Sequence, residues 1–171
     1  MRVVALASVI LALTVSALAQ HSSELDEHHA GVMHRGDHAM GFSHEKTTHH
    51  FHVYKDGGSI EVTANQAKDT DSREMIRTHL SHIAQMFSAG DFNTPMFIHD
   101  TTPPGVRTMT ELGDKISYQY ADIPSGGRIR VTTSAPEALD AVHEFLRFQI
   151  AEHKTGDSTQ VQTAPPPSDQ R

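Results

Sequence analysis

Between Thr47 and Thr63 the apolar residues fall on every second position: Phe51 and Val53 first, then Ile60 and Val62. Such alternation marks a half-buried strand, and Asp56-Gly57 between the two runs is a strong hairpin signal. With those two residues as the loop, Lys55 faces Gly58, Val53 faces Ile60, Phe51 faces Val62 and His52 meets Glu61. One face is then apolar in both strands, while the other carries His50 and His52. Ile116, Tyr118 and Tyr120, followed by Ile129 and Val131 after Gly126-Gly127, predict a second hairpin in the same way.

After each hairpin the period turns helical. Ile76, Leu80, Ile83, Ala84 and Phe87 form one stripe, behind Asp71 as N-cap with Glu74 following, and ahead of Gly90. Leu139, Val142, Leu146 and Ile150 form another, opened by Ser134 as cap and Pro136 in the first turn, and reaching about His153. Between them, 91–105 reads as an irregular connection ending on Pro103-Pro104-Gly105, with a short helix over 106–114. The stretch from Gly57 to Thr63 also matches that from Gly126 to Thr132, and a long helix follows each. These patterns predict an α+β fold: two ββα repeats forming a four-stranded antiparallel sheet, with two long helices packed on one face. In the second hairpin Gln119 and Arg130 take the places of His52 and Glu61, so the architecture itself does not call for histidine there.

The ends of the chain read differently. Arg2, an apolar run from Val3 to Val15 and Ala17-Leu18-Ala19 have the layout of a secretory signal over 1–19. Residues 20–46 show no sustained apolar period and are expected to be a mobile His/Met-rich segment. A single domain over 47–154 follows, and 155–171, with three consecutive prolines, is expected to be a disordered tail. Removing 1–19 takes away only Arg2 among the charged side chains, leaving 13 basic against 21 acidic ones. That balance argues against nucleic acid as a partner, and no further apolar run suggests membrane insertion after cleavage. There is no cysteine, so an exported, periplasmic or secreted chain of this composition relies on packing alone, without disulfides or a thiolate.

Histidine is where the composition departs from the ordinary: there are 14, nine of them from His21 to His52. A tract so rich in imidazole reads as metal binding. His50 and His52, two apart on one strand, stand about 7 Å from each other, within reach of one ion, with His49 beside them and Glu61 across the ladder. Met33 to His44 interleaves thioether and imidazole, offering His34, His38, Met40 and His44; thioether selects Cu(I) over zinc. On the first long helix His79, His82 and Met86 form a further stripe with Met75, and His99 beside Asp100 is an additional loop candidate. His143 and His153 flank the last helix's apolar stripe, where a hydrogen-bonded, partly buried histidine is the default.

No G-x-S-x-G elbow, H-E-x-x-H, P-loop or G-x-G-x-x-G is present, which removes the common nucleophile, zinc-protease and nucleotide templates. The blocks Met40-Gly41-Phe42, Lys46-Thr47-Thr48-His49-His50-Phe51, Pro95 to Gly105 and His143 to Ile150 resemble those of a group of small exported bacterial proteins. That resemblance spans about 33–157 and implies an exported bacterial domain; it supplies no mechanism. The functional expectation is a transition-metal-binding protein, copper ahead of zinc, acting as chaperone, buffer or sensor. The alternatives are a metal-dependent enzyme, or a scaffolding module with solvated histidines that binds a protein partner or a second copy of itself.

Overall fold

Four strands of eight residues each, β1 (Thr47–Tyr54), β2 (Gly57–Ala64), β3 (Ile116–Ile123) and β4 (Gly126–Thr133), pair antiparallel in the order β1-β2-β4-β3. The computed structural model describes residues 26–163, so the signal reading over 1–19 and the end of the tail lie outside the described residues. Alternation works as the sequence requires. Phe51, Val53, Ile60, Val62, Ile116, Ile129 and Val131 are buried in one core, with Tyr118 and Tyr120 packed half-buried against it.

The register of the first hairpin differs from the sequence expectation by two residues. Its turn is Lys55-Asp56, so Val53 faces Gly58, Phe51 faces Ile60, and His50 rather than His52 faces Glu61. A shift of two keeps every side chain on its face, which is why the core assignment stands. The glycines explain the shift. Gly57 lies inside β2 with φ 138°, and a Cβ there would run into the Val131 carbonyl of β4. A Cβ on Gly58 would strike Leu146. Both positions are glycine because a neighbour approaches closely, not because the chain reverses there. In the second hairpin Tyr118 faces Val131, Gln119 faces Arg130 and Tyr120 faces Ile129, as expected.

Among the described residues five α-helices accompany the sheet: α1 over 26–40, α2 (Thr70–Ser88), α3 (Asn93–His99), α4 (Val106–Glu111) and α5 (Pro136–Glu152). The cap of α2 is Asp69 rather than Asp71: its carboxylate accepts from Ser72 N at 3.0 Å and from Ser72 Oγ at 2.8 Å, satisfying one of the helix's free N–H groups. At the start of α5 Ala135 rather than Ser134 holds the cap position and makes no side-chain cap bond; Pro136 opens the helix as expected. Ile76, Leu80, Ile83, Ala84 and Phe87 of α2, and Ala138, Val142, Leu146 and Ile150 of α5, enter the same core as the strands.

Three segments carry more structure than their sequence suggests. Part of the connection after α2 is α3, which buries Pro95, Ile98 and His99. Residues 26–40, where no apolar period is sustained, are helical, held by tertiary contacts rather than by an amphipathic stripe. Val32 is fully buried, Arg35 Nε donates to Ile98 O at 2.7 Å, and the His28 and His29 rings donate to the Glu152 side chain and carbonyl at 2.6 and 3.1 Å. Residues 155–163, expected to belong to a disordered tail, run along the free edge of β1. Gln162 N donates to Val53 O, and the Asp157 carboxylate accepts from Phe51 N at 2.9 Å. Among the described residues no helix is long and apolar enough to cross a membrane.

Candidate functional site

The pleat of β1 splits the His49-His50-Phe51-His52 run between two surfaces. His49 turns to the core side with Phe51, while His50 and His52 point to the opposite face of the sheet with Tyr54. The two faces have different chemistry.

On the core side, His49, His79, His99 and His153 line one partly open cavity together with Met40, Thr94 and Gln149; the remaining walls are apolar, among them Phe51, Ile60, Val62, Leu80, Phe87 and Phe145. About 70 Å³ of it is open to the centre of a water molecule, room for several waters. Four different elements supply the imidazoles. β1 brings His49, α2 brings His79 beside its Ile/Leu stripe, α3 ends on His99, and His153 caps α5. Met40 comes from the end of α1, and Phe42, just beyond it, is buried with its ring 5.7 Å from that of His79 and 6.5 Å from that of His49.

These imidazoles are held neutral. Burial lowers His49 from 6.5 to about 4, helped by the neighbouring His79, His50 and His44 and opposed by Asp37. Burial, with His82, likewise brings His79 to about 4. Burial drives His153 well below the ordinary histidine value, with His49, His99 and His29 acting in the same direction. For His99, too, burial dominates, against the upward pull of the Gln149 hydrogen bond and Glu152. Nothing among the described residues hydrogen-bonds to the rings of His49, His79 or His153. His99 is 1% exposed and donates from Nε2 to Gln149 Oε1 at 3.0 Å, leaving its Nδ1 and Gln149 Nε2 buried without partners. The His49 and His153 rings lie 5.7 Å apart and within 9° of parallel, and the His99 ring is 5.1 Å from that of His153. An unpaired buried polar atom costs roughly 1–3 kcal/mol, and His99 Nδ1 and Gln149 Nε2 are two such atoms in the wall of this cavity, while the rings of His49, His79 and His153 are half-buried.

The outer face is polar and internally satisfied. His50 donates from Nδ1 to Asp157 Oδ1 at 2.9 Å, which fixes its tautomer and leaves Nε2 with a free lone pair. Its ring is 6.1 Å from that of His52. Glu61 accepts from Arg128 Nε at 2.7 Å and stands 4.0 Å from His52 Nε2, so its carboxylate is already engaged. Arg130 lies over the Tyr54 ring.

The remaining sequence candidates disperse. His34, His38 and His82 are exposed, and the His38 ring is 6.4 Å from Phe97. His44 donates to Asp37 at 2.9 Å. Met86 is half-buried, its sulfur accepting from Thr94 Oγ1 at 3.9 Å. Of the candidates, then, the structure brings Met40, His49, His79 and His99 together and leaves His34, His38, His44, His50, His52, Glu61, His82 and Met86 elsewhere. It adds His153 and Gln149, which sequence reasoning missed. The last buried histidine, His143, donates to Tyr54 O at 2.8 Å and is a structural group, as its place beside the α5 stripe suggests. Among the described residues no group of three or more His, Asp or Glu side chains is gathered so that it could hold a metal ion. Comparison with models of known protein families, with curated proteins and with solved structures yields no match to this chain.

Proposed function

We propose that this is an exported binding protein for a soft transition-metal ion, copper ahead of zinc, and that the ion is taken between His49 and His153 in the cavity that Met40 also lines. One observation carries this reading: four neutral imidazoles and a thioether line a single, largely apolar cavity, and three of the rings have no hydrogen-bond partner among the described residues. Neutral imidazole is the ligand form, and thioether favours Cu(I). Zinc asks for four protein or water ligands in a tetrahedron, whereas Cu(I) is content with two or three. Of the rings without a hydrogen-bond partner, those of His49 and His153 stack near-parallel, 5.7 Å between centres. The role that goes with such a site in this reading is that of a chaperone, buffer or sensor.

A second reading places the ion on the outer face, at His50 and His52. It is favoured by the Asp157 carboxylate behind His50, an arrangement common behind metal-bound histidine. Anaerobic Cu(I) titration of the mature chain separates the two, using His49→Phe/His153→Phe and His50→Ala/His52→Ala. The inner pair should lose at least tenfold in affinity and the outer pair less than twofold. Equal affinity in all three proteins would refute both readings.

The same proposal includes the architecture in its finer form, two ββα units related by a pseudo-twofold axis. Three features support it. Ile60 faces Ile129 at the middle of the β2–β4 pair. Gly57 is approached by the Val131 carbonyl, and Gly126 by that of Val62. The two glycines also begin the matching stretches of sequence.

A further inference from the structure

A shallow groove on the surface is lined by Met40, Gly41, Glu74, Met75, Thr78 and His79. Two of these residues, Met40 and His79, also line the cavity that holds His49 and His153. The groove and the cavity therefore share a wall, and that wall consists of a thioether and an imidazole. Met75 lies on the solvent side, 40% exposed, one of three large apolar side chains on the described surface with so much area in water. A lone exposed apolar side chain needs no explanation. A thioether placed one helical turn before His79, in a groove that Met40 also lines, presents a set of soft donors.

We propose that this groove is the loading port of the copper site: a cuprous ion is first taken by the Met75 and Met40 thioethers with His79, and then passes inward to His49 and His153. The inference rests on the copper reading above and adds the route. The transfer is ligand exchange at constant oxidation state, so no oxidant or reductant is involved. Met40 and His79 hold the ion while Met75 lets go and an inner imidazole takes its place, and the ion never becomes naked in an apolar cavity, where an unpaired charge is prohibitively costly. Weak thioether ligands suit the outer position, because the ion has to leave them. The stronger imidazoles suit the inner one.

The test is kinetic. Cu(I) supplied as its bicinchoninate complex under anaerobic conditions is transferred to the metal-free mature chain, and the loss of the coloured complex is followed in time. Met75→Leu conserves volume and lies outside the cavity; Met86→Leu, on the same helix but outside the groove, is the control. A port lowers the barrier in both directions. Met75→Leu should therefore load and unload about tenfold more slowly while equilibrium affinity stays within twofold, and Met86→Leu should match wild type. Thermal melts of the metal-free variants check that each is folded. Wild-type rates in Met75→Leu would overturn the port and leave the copper reading intact. A loss of affinity in Met75→Leu as large as that in His49→Phe/His153→Phe would make the groove the binding site itself, which also overturns the port. Absence of any uptake by wild type would overturn the copper reading and the port together.

Discussion

Acidification of the metal-free protein is the perturbation that the cavity answers most directly. His49 has its value lowered from 6.5 to about 4, chiefly by burial. In the unfolded chain it takes a proton as pH falls through 6.5, while in the folded chain it resists until about 4. The unfolded state therefore binds more protons across that window, and stability falls as pH falls. At pH 5 the difference for this one residue is about 2 kcal/mol, approaching roughly 3 kcal/mol below pH 4. His79 contributes in the same direction with a smaller share, since it borders the surface groove; the lowered His99 and His153 have the same sign. Domains of this size have about 5–15 kcal/mol in all, so losses of this order bring the chain close to unfolding by mild acid. Asp157 belongs to another window. Burial pushes it up, but hydrogen bonds from Phe51 N, Thr155 and His50 outweigh that, so its contribution is lost only below the ordinary carboxylate range. The assay is urea unfolding at pH 7.5, 6 and 5 for wild type and His49→Phe. Wild type should lose at least about 2 kcal/mol between pH 7.5 and 5, and the variant should lose about that much less. A wild-type stability flat across this interval would refute the account of the cavity as a store of neutral imidazole, and so would an unchanged slope in His49→Phe.

Three further outcomes are expected. Gly105→Ala should lower the melting temperature by the equivalent of about 2 kcal/mol or more, because Gly105 sits at φ 81° and a Cβ would meet the Ala141 carbonyl; Gly113→Ala, with open space around it, should change stability by less than about 0.5 kcal/mol. Asp157→Ala removes the acceptor for both Phe51 N and His50 Nδ1, so the Phe51 amide should exchange with solvent at least tenfold faster than in wild type, as hydrogen exchange by NMR would read. Chelation of a copper-loaded sample should lower stability by about 2.7 kcal/mol if free copper was a hundredfold above Kd, a shift that calorimetry would follow and that His49→Phe/His153→Phe should abolish.

The faces of the strands were legible in the sequence, and the partners on those faces much less so. Alternation alone puts Phe51 and Val53 inside and His50 and His52 outside, and it tolerates a register error of two residues. The same alternation puts His49 on the opposite side from its neighbours, yet three histidines within four positions invite reading them as one cluster. His153 could not be paired with His49 from sequence: 104 residues separate them, and their meeting depends on where α5 ends against β1. Gln149 left a faint signal as a polar residue between Leu146 and Ile150 in an otherwise apolar stripe. The helix over 26–40 left almost none, because what holds it is an arginine and two histidines finding carbonyl and carboxylate oxygens elsewhere in the chain.

The segment from Asp157 to Gln162 has a consequence for anyone handling this protein. It covers part of β1, the strand that carries Phe51, Val53 and the histidine run, by occupying two of its outward hydrogen-bonding groups, the Phe51 N–H and the Val53 carbonyl. A chain clipped after Glu152, by a protease or by a cloning decision, would present that strand bare, and a bare strand is a template on which a second molecule can align. A few residues that look expendable should therefore influence whether molecules associate through this edge. An affinity handle at the carboxyl end should be joined beyond Gln162, so that the strand stays shielded throughout purification.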